Sequence, residues 1–200
     1  MHVSNPAVPQ AERRARSRLA LLESAARGIS RHGYGNLVLE RVARDAGYTR
    51  GALYHQFAGK EDLAMAVVDW VEGSWQDEVG RRVEAEDDPV DALLALARGH
   101  AVFCRRDIAR VAIALRLEFS EGDHPLGRHL ERTSAGLAKR VARLIDAGRR
   151  EGTIPPGPPA KVVARAFIGA MEGAVIELSG QEPHDEELAA RAAAGVLGIR

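Results

Sequence analysis

Several features that would identify particular protein classes are scarce or missing in this sequence. Cys104 is the single cysteine, which excludes an internal disulfide and is typical of a reducing compartment. Aromatic residues make up only 4% of the 200 residues. No apolar run approaches the length of a membrane-spanning helix, and the N-terminus has no apolar segment of the signal-peptide kind. We therefore expect a cytoplasmic protein.

Signatures of catalysis are also missing. The sequence contains no glycine-rich phosphate loop and no nucleophile elbow. His100 and Cys104 lie four residues apart, so they share one helix face and could bind a metal ion with His124 or His129. No second closely spaced pair supports this site, and a lone helical cysteine is usually a small buried hydrophobe. We expect no enzymatic activity, no metal and no cofactor.

Composition and charge indicate a helical protein with a basic N-terminal part. The apolar share is 46%, and Ala, Leu, Val and Arg, which favour helix, dominate. The net charge of zero conceals an asymmetry: residues 1–60 have ten Lys and Arg against four Asp and Glu, a net charge of +6, and residues 61–200 have −6. Uneven scatter of solvated charge is the alternative, but a basic first third is typical of a part that meets a polyanion.

The stretch from Gly47 to Lys60 predicts a helix-turn-helix. Gly47 can end one helix by adopting a positive φ, and Thr49 can cap the N-terminus of the next helix. Leu53 and Phe57 lie four residues apart on one face, so we expect them in the core. In this motif the second helix enters the DNA major groove with its N-terminal residues.

The segment VARDAGYTRGALYHQFAGKEDL, residues 42–63, resembles the DNA-binding signature of the TetR family of transcriptional repressors, and the resemblance extends back to about Ser17. It implies that Tyr54 and Lys60 contact phosphates. Two departures stand out. Leu37 and Val38 replace the Thr or Ser near the start of the second helix, and Gln56, preceded by His55, replaces a histidine.

Each predicted DNA contact follows from the chemistry of its side chain. Arg50 can bind guanine through two N–H groups, and Ala52 can touch a thymine methyl. Tyr54 and His55 can donate to phosphate oxygens, although Tyr54 could instead pack against the first helix. Lys60 lies at a helix N-terminus, where a phosphate is already favoured. The predicted DNA-binding residues are Thr49, Arg50, Gly51, Ala52, Tyr54, His55 and Lys60.

The fold expected is all-α, with about nine helices: an N-terminal three-helix helix-turn-helix head and a C-terminal helical ligand-binding and dimerisation domain. Residues 1–12 are expected to be a disordered arm, 13–60 the DNA-binding domain and 61–200 the second domain. The first helix should bury Leu19, Leu22, Ala26 and Ile29. The helices are predicted at about 17–32, 39–46, 49–57, 60–84, 89–105, 107–120, 125–150, 160–178 and 185–197; the one at 107–120 is apolar on more than one side and therefore expected to be central.

The last two predicted helices are candidates for a dimer interface. Small residues four apart let a second helix approach closely, and two helices from each of two chains would form a four-helix bundle. A monomeric interior would use similar residues, but two heads about 34–36 Å apart would read a pseudo-palindrome. The predicted interface residues are Ala166, Ala170, Gly173, Ala174, Leu188, Ala192 and Val196.

The function expected is that of a homodimeric DNA-binding regulator that represses transcription. As the resemblance implies, the helices spanning about 61–179 would enclose a small-molecule effector that favours the conformation with wrongly spaced heads. Arg116 and Glu118 could line that cavity or form an exposed ion pair. The alternative function is a helical ligand-binding or enzymatic protein that uses the helix-turn-helix otherwise. The predicted pocket residues are His100, Phe103, Cys104, Arg116 and Phe119.

Two substitutions test the predicted division between phosphate and base contacts. Lys60→Ala should weaken binding to all duplexes and lower the salt slope by about one, because one phosphate contact is lost. Arg50→Ala should relax sequence preference. Gel-shift titrations at several salt concentrations measure both, and an unchanged slope for Lys60→Ala rules out its phosphate contact.

Overall fold

The computed structural model describes residues 9–119, 124–178 and 180–199, and all regular structure in these ranges is helical. The regular structure includes a π-helical turn, Gln76–Gly80, and a 3₁₀ turn, Asp107–Ala109. None of the helices in these ranges is long and apolar enough to cross a membrane. The helices are α1 (Gln10–His32), α2 (Leu39–Asp45), α3 (Arg50–Tyr54), α4 (Lys60–Trp75), α5 (Arg81–Glu84), α6 (Pro89–Phe103), α7 (Arg110–Glu118), α8 (Pro125–Glu151), α9 (Ala160–Leu178) and α10 (His184–Leu197).

The first helix is longer than the sequence pattern predicted. It begins at Gln10 instead of Ser17, so part of the predicted arm is helical, while residues 1–8 lie outside the described ranges. Glu12 and Arg16 form an i,i+4 ion pair at 3.3 Å on this added turn, which favours helix. Leu19 is 43% exposed and not buried as predicted, because it precedes the first buried position, Leu21.

The head and the remaining helices pack around one continuous apolar core. The inner face of α1 contributes Leu21, Leu22 and Ile29, and α1 packs against α2, α4 and α7. The predicted helix from Lys60 to Glu84 is continuous through the π-helical turn. Its stripe buries Leu63, Val67 and Val71 and leaves Trp75 half-buried. The head is therefore fixed directly on the helices that follow it.

Side chains cap the N-termini of α6 and α8. The Asp88 carboxylate accepts the N–H groups of Val90 and Asp91 at 2.7 and 3.0 Å, with Pro89 as the first helical residue. His124, the residue before the predicted helix start at 125, caps α8 by accepting the Leu126 N–H at 3.2 Å. Residues 120–123, which precede it, lie outside the described residues.

The helix expected at the centre of the protein is not surrounded on all sides. The predicted segment 107–120 forms the 3₁₀ turn and then α7, which buries Val111 and Leu115 on one face. Leu117 is 77% exposed, so apolar content on the outer face is not covered by other helices of this chain. Position 120 lies beyond the described part of the chain. Similarly, α6 ends at Phe103 and not at Arg105.

A buried ion pair joins the end of α6 to the start of α10. The Arg105 guanidinium donates to both carboxylate oxygens of Asp185 at 2.9 and 2.8 Å, and the Asp185 side chain is only 2% exposed. Hydrogen bonding from Arg105 holds the pKa of Asp185 below its ordinary value of 3.8. Because the folded pKa lies below the unfolded one, this pair stabilises the fold above about pH 4, and the contribution is lost as the pH falls through the lowered pKa.

Asp185→Asn should lower the free energy of unfolding by about 3 kcal/mol, the lower end of the range for a broken buried pair, since Arg105 remains partly exposed. Urea unfolding at neutral pH measures the change. The exposed residue Glu187 on α10 supplies the matched control, Glu187→Gln. Equal unfolding free energies for the wild type and Asp185→Asn would contradict the assignment.

Candidate DNA-binding surface and its connection to the core

The turn between α2 and α3 has the geometry that the sequence predicts. Gly47 adopts φ +78°, and the Tyr48 N–H donates to the Ala43 carbonyl at 2.9 Å. Thr49 is the N-cap of α3, and its hydroxyl oxygen accepts the Ala52 N–H at 3.2 Å. The helical residues end at Tyr54, three residues before the predicted end at Phe57. By contrast, α2 has no side-chain cap, because Val38 occupies the N-cap position.

The inner side of this short helix is fully buried. Leu53 and Phe57 are 0% and 2% exposed, which confirms their predicted place in the core. The Arg18 guanidinium of α1 lies 4.6 Å from the centre of the Phe57 ring. Gln56, which stands at the departure from the family pattern, donates from Nε2 to the Ser17 hydroxyl at 2.8 Å. Gln56 thus ties the end of the motif to α1.

The outer side of the motif carries most of the predicted DNA contacts. Ala52 and Lys60 are half-buried. Tyr54 is 43% exposed and its ring lies 5.3 Å from the Arg50 guanidinium. The exposed predicted contacts are Thr49, Arg50, Gly51, Tyr54 and His55.

Two of the predicted contact cations have partners within the protein. Arg50 Nη1 lies 2.9 Å from Glu40 Oε1 on α2. Lys60 Nζ donates to the Gly35 carbonyl at 2.7 Å and lies 4.6 Å from the centre of the Tyr34 ring. In this conformation Lys60 therefore holds the α1–α2 turn, and a phosphate contact by its ammonium requires that this bond be exchanged. The sequence did not indicate either partner, since each lies at least ten residues away.

The same α1–α2 turn is bound from the other side by the core. Glu118, the last residue of α7, accepts the backbone N–H groups of Tyr34 and Gly35, each at 2.6 Å. Gly33 has φ +77°, and a Cβ there would lie 3.2 Å from the Glu118 carboxylate. Glu118 therefore attaches the core to the head, and we call these contacts of Glu118 and Lys60 with the turn the head–core joint.

Aromatic rings pack beside the head–core joint. The Tyr34 ring meets the Phe119 ring edge-on at 5.1 Å, and Phe119 stacks on His124 at 4.4 Å. Burial, followed by the nearby carboxylates of Glu61 and Glu118, raises the pKa of Tyr34. Phe119 was predicted to line the effector pocket with His100, but it belongs to this cluster because the end of α7 lies against the head.

The other predicted pocket residues are in contact with neighbouring side chains. His100 Nδ1 accepts the Trp75 indole N–H at 3.1 Å, and its Nε2 lies 3.5 Å from Cys104 Sγ. Burial lowers the pKa of His100 to about 4 and raises that of Cys104 to about 12, so both are neutral at physiological pH. Phe103 is 3% exposed. Arg116 forms an ion pair with Glu172 of α9.

The histidines considered as further metal ligands lie elsewhere. His124 is in the ring cluster of the head–core joint, and His129 Nε2 lies 2.6 Å from Asp69 Oδ1 of α4. Within residues 9–119, 124–178 and 180–199, no three His, Cys, Asp or Glu side chains gather as a metal site would require. A groove of about 90 Å³ lies between α1 and α2 in the head, and none of the predicted pocket residues line it.

Comparison with known proteins matches this arrangement to a family. Residues 21–67, from the inner face of α1 to the first turns of α4, match the family model described as bacterial regulatory proteins, tetR family. Residues 21–67 carry a DNA-binding domain of the TetR family. This match confirms the resemblance seen in residues 42–63, and it supports a function in transcriptional regulation.

Relatives of this chain are regulators from several bacteria. It is 28% identical over 157 residues to the A-factor receptor protein of Streptomyces griseus, a match that covers 75% of this chain but only about half, 52%, of that protein. It is 26% identical over 147 residues to the transcriptional repressor AcnR of Corynebacterium glutamicum, covering 70% and 71% of the two chains.

Solved structures confirm the fold of this chain. AibR, solved with isovaleryl coenzyme A and operator DNA, superposes with a TM-score of 0.74 at 21% identity, over 92% of this chain and all of AibR. The predicted all-α architecture, a helix-turn-helix head followed by a helical domain, is therefore correct.

Glu118→Gln should accelerate amide exchange at Tyr34 and Gly35 about fivefold, because a neutral amide oxygen replaces a charged acceptor at a cost of about 1 kcal/mol. Hydrogen exchange resolved to single amides measures this change. Glu131→Gln, on the exposed side of α8, is the control for charge alone. Unaltered exchange at both amides would show that Glu118 does not hold the turn in solution.

Proposed function

We propose that this protein is a homodimeric repressor of transcription in the cytoplasm, that it recognises a pseudo-palindromic operator through α3, and that a small molecule releases it. The main support for this proposal is that one side of α3 is buried and the other is exposed. Leu53 and Phe57 are buried on one side, and Thr49, Arg50 and Gly51 are exposed on the other, on a head of net charge +6. A short helix of this kind fits the major groove by its N-terminal residues.

The site residues proposed for DNA differ in their roles. Thr49 and Gly51 bring the N-terminus of α3 close to the DNA backbone, and Arg50 reads a base edge. Tyr54, His55 and Lys60 contact phosphates, Lys60 after leaving the Gly35 carbonyl. We take residues 13–60 as the DNA-binding domain and 61–200 as the dimerisation and effector domain, with the first turn of α1 added to the head.

Dimerisation through α9 and α10 is supported by the outward faces of these two helices. Val162, Ile176 and Leu188 are 52%, 61% and 40% exposed on this chain. Next to them, a Cβ added at Gly169 or Gly173 would meet nothing within 4 Å, so a partner helix can approach the backbone closely. Among the predicted interface residues, Ala166, Gly173, Leu188 and Ala192 are exposed, and Ala170, Ala174 and Val196 are half-buried.

Release by an effector requires that the ligand bind one conformation of the dimer better than another. AibR was solved with both isovaleryl coenzyme A and operator DNA, which supports a small-molecule ligand for a chain of this fold. We propose a binding region among the helices of residues 61–179, near His100, Phe103, Cys104 and Arg116. A ligand there would act on the DNA-binding head through α7 and the head–core joint.

Ala170→Glu should convert the dimer to monomers, because it places a carboxylate in a close helix–helix contact. It should also weaken operator binding by tenfold or more, on the order of the loss expected when one of two half-sites is disengaged. The duplex is selected by the wild-type protein from a random pool. Analytical ultracentrifugation gives the mass, and gel-shift titration gives the affinity.

Lys161→Glu, at an exposed polar position of α9, is the control for added negative charge. Two outcomes would contradict the proposed function. In one, the wild-type protein selects no duplex; in the other, the Ala170→Glu variant is a monomer and binds the duplex with undiminished affinity.

A further inference from the structure

We infer that Glu40 is a specificity-determining residue: it positions the Arg50 guanidinium for a guanine and, at the same time, lowers the affinity of the head for DNA in general. The inference rests on the proposed function, in which Arg50 reads a base edge. It is carried by a juxtaposition across the helix-turn-helix. Glu40, in the first turn of α2, lies with Oε1 2.9 Å from Nη1 of Arg50, the first residue of α3.

The ion pair adds little to the stability of the head. The side chains of Glu40 and Arg50 are 51% and 63% exposed. Exposed pairs of this kind contribute about 0.2–1 kcal/mol and are screened by salt. The position of the pair is more informative than its strength, since it links the two helices of the DNA-binding motif on their exposed side.

The geometry leaves the base-reading edge of Arg50 available. A guanidinium has five N–H donors in a planar fork. Glu40 engages the fork at Nη1, so the edge formed by Nε and Nη2 can still donate two parallel hydrogen bonds to guanine O6 and N7. The Tyr54 ring, 5.3 Å from the guanidinium carbon, lies on another side and restricts the plane of the fork further.

The Glu40 carboxylate also weakens DNA binding in general, and this helps the head to distinguish the matching sequence from others. Glu40 is a fixed negative charge on a surface that meets phosphates, so it opposes binding to every duplex. It also competes with phosphate oxygens for Arg50. At a sequence without the guanine, Arg50 stays with Glu40 and contributes no phosphate contact. At the matching sequence, Arg50 gains the bidentate bond without leaving Glu40. The ratio of specific to non-specific affinity therefore rises.

A purely structural role for Glu40 is the alternative explanation. An acidic residue in the first turn of a helix interacts favourably with the helix dipole, and α2 has no side-chain cap. That role would lower the stability of the head in a Glu40 variant, whether or not Arg50 is present. It would not change which base pair is preferred, and it would not raise affinity for non-specific DNA.

The experiment compares Glu40→Ala, Glu40→Gln, Arg50→Ala and the double variant Glu40→Ala with Arg50→Ala, all in the full chain. Asp45→Asn is the matched control, because Asp45 is an exposed carboxylate on the same helix that contacts Arg44 and not Arg50. The DNA probes are a duplex selected by the wild-type protein from a random pool, the same duplex with single G·C pairs replaced, and poly(dA-dT), which contains no guanine. Urea unfolding measures the stability of every variant.

We expect Glu40→Ala to bind poly(dA-dT) up to about fivefold more tightly and with a salt slope steeper by about one, because Arg50 now contacts phosphate. Its preference for one G·C pair should fall by up to about fivefold, and Arg50→Ala should lose preference at the same pair by at least as much. The double variant should discriminate no worse than Arg50→Ala alone. Glu40→Gln should lie between Glu40→Ala and the wild type, and Asp45→Asn should keep the preference.

Three outcomes would overturn the inference about Glu40. One is an unchanged preference in Glu40→Ala at normal stability, and another is a loss that adds fully to that of Arg50→Ala. The third is an equal loss in Asp45→Asn, which would assign the effect to charge alone. Failure of the proposed function is distinguishable, because the wild-type protein would then select no duplex from the pool at all.

Discussion

Packing of Leu53 and Phe57 into the α1 side of the core is the constraint on which the DNA-binding surface depends. A helix of five residues is far too short to form by itself, because nucleation is costly and few hydrogen bonds repay it. The Thr49 cap adds about 1 kcal/mol, whereas full burial of each large apolar side chain contributes about 1.5–3 kcal/mol. The direction in which Arg50 and Tyr54 point is thus set by the buried side chains of Leu53 and Phe57.

The basic residues of the head are held by weak internal partners before DNA arrives. Arg50 is with Glu40, Lys60 with the Gly35 carbonyl, and Arg18 over the Phe57 ring. Such partners fix the side chains in space, yet exposed contacts of this strength are exchanged readily for a phosphate or a base edge. The head therefore presents an ordered set of hydrogen-bond donors, and these side chains lose little conformational entropy when they bind DNA. Glu40 differs from the other two partners because it carries a full negative charge, so its contact also affects how DNA sequences are distinguished.

Local patterns in the sequence predicted the helix-turn-helix, the cap at Thr49 and the extent of α9, because each depends on residues within a few positions of one another. The contacts that connect the head to the core could not be found this way. Glu118 and Tyr34 are 84 residues apart, and no periodicity links them. Leu117 and Leu19 show a second limit: apolar spacing indicates a helix face, but it does not reveal whether another element covers that face. The early start of α1 was missed since a basic stretch with good helix propensity resembles a disordered arm.

Two charged residues of α7 connect this helix to two different parts of the protein. Arg116 forms its ion pair with Glu172 of α9, and two residues later Glu118 accepts the N–H groups of the α1–α2 turn. Positions two apart on a helix point in different directions, so this nine-residue element reaches the proposed dimerisation helix on one side and the head on the other. A packed helix moves as a unit and does not deform gradually. A shift of α7 relative to α9 must therefore alter the Glu118 contacts, and with them the placement of the turn that leads into the DNA-binding motif.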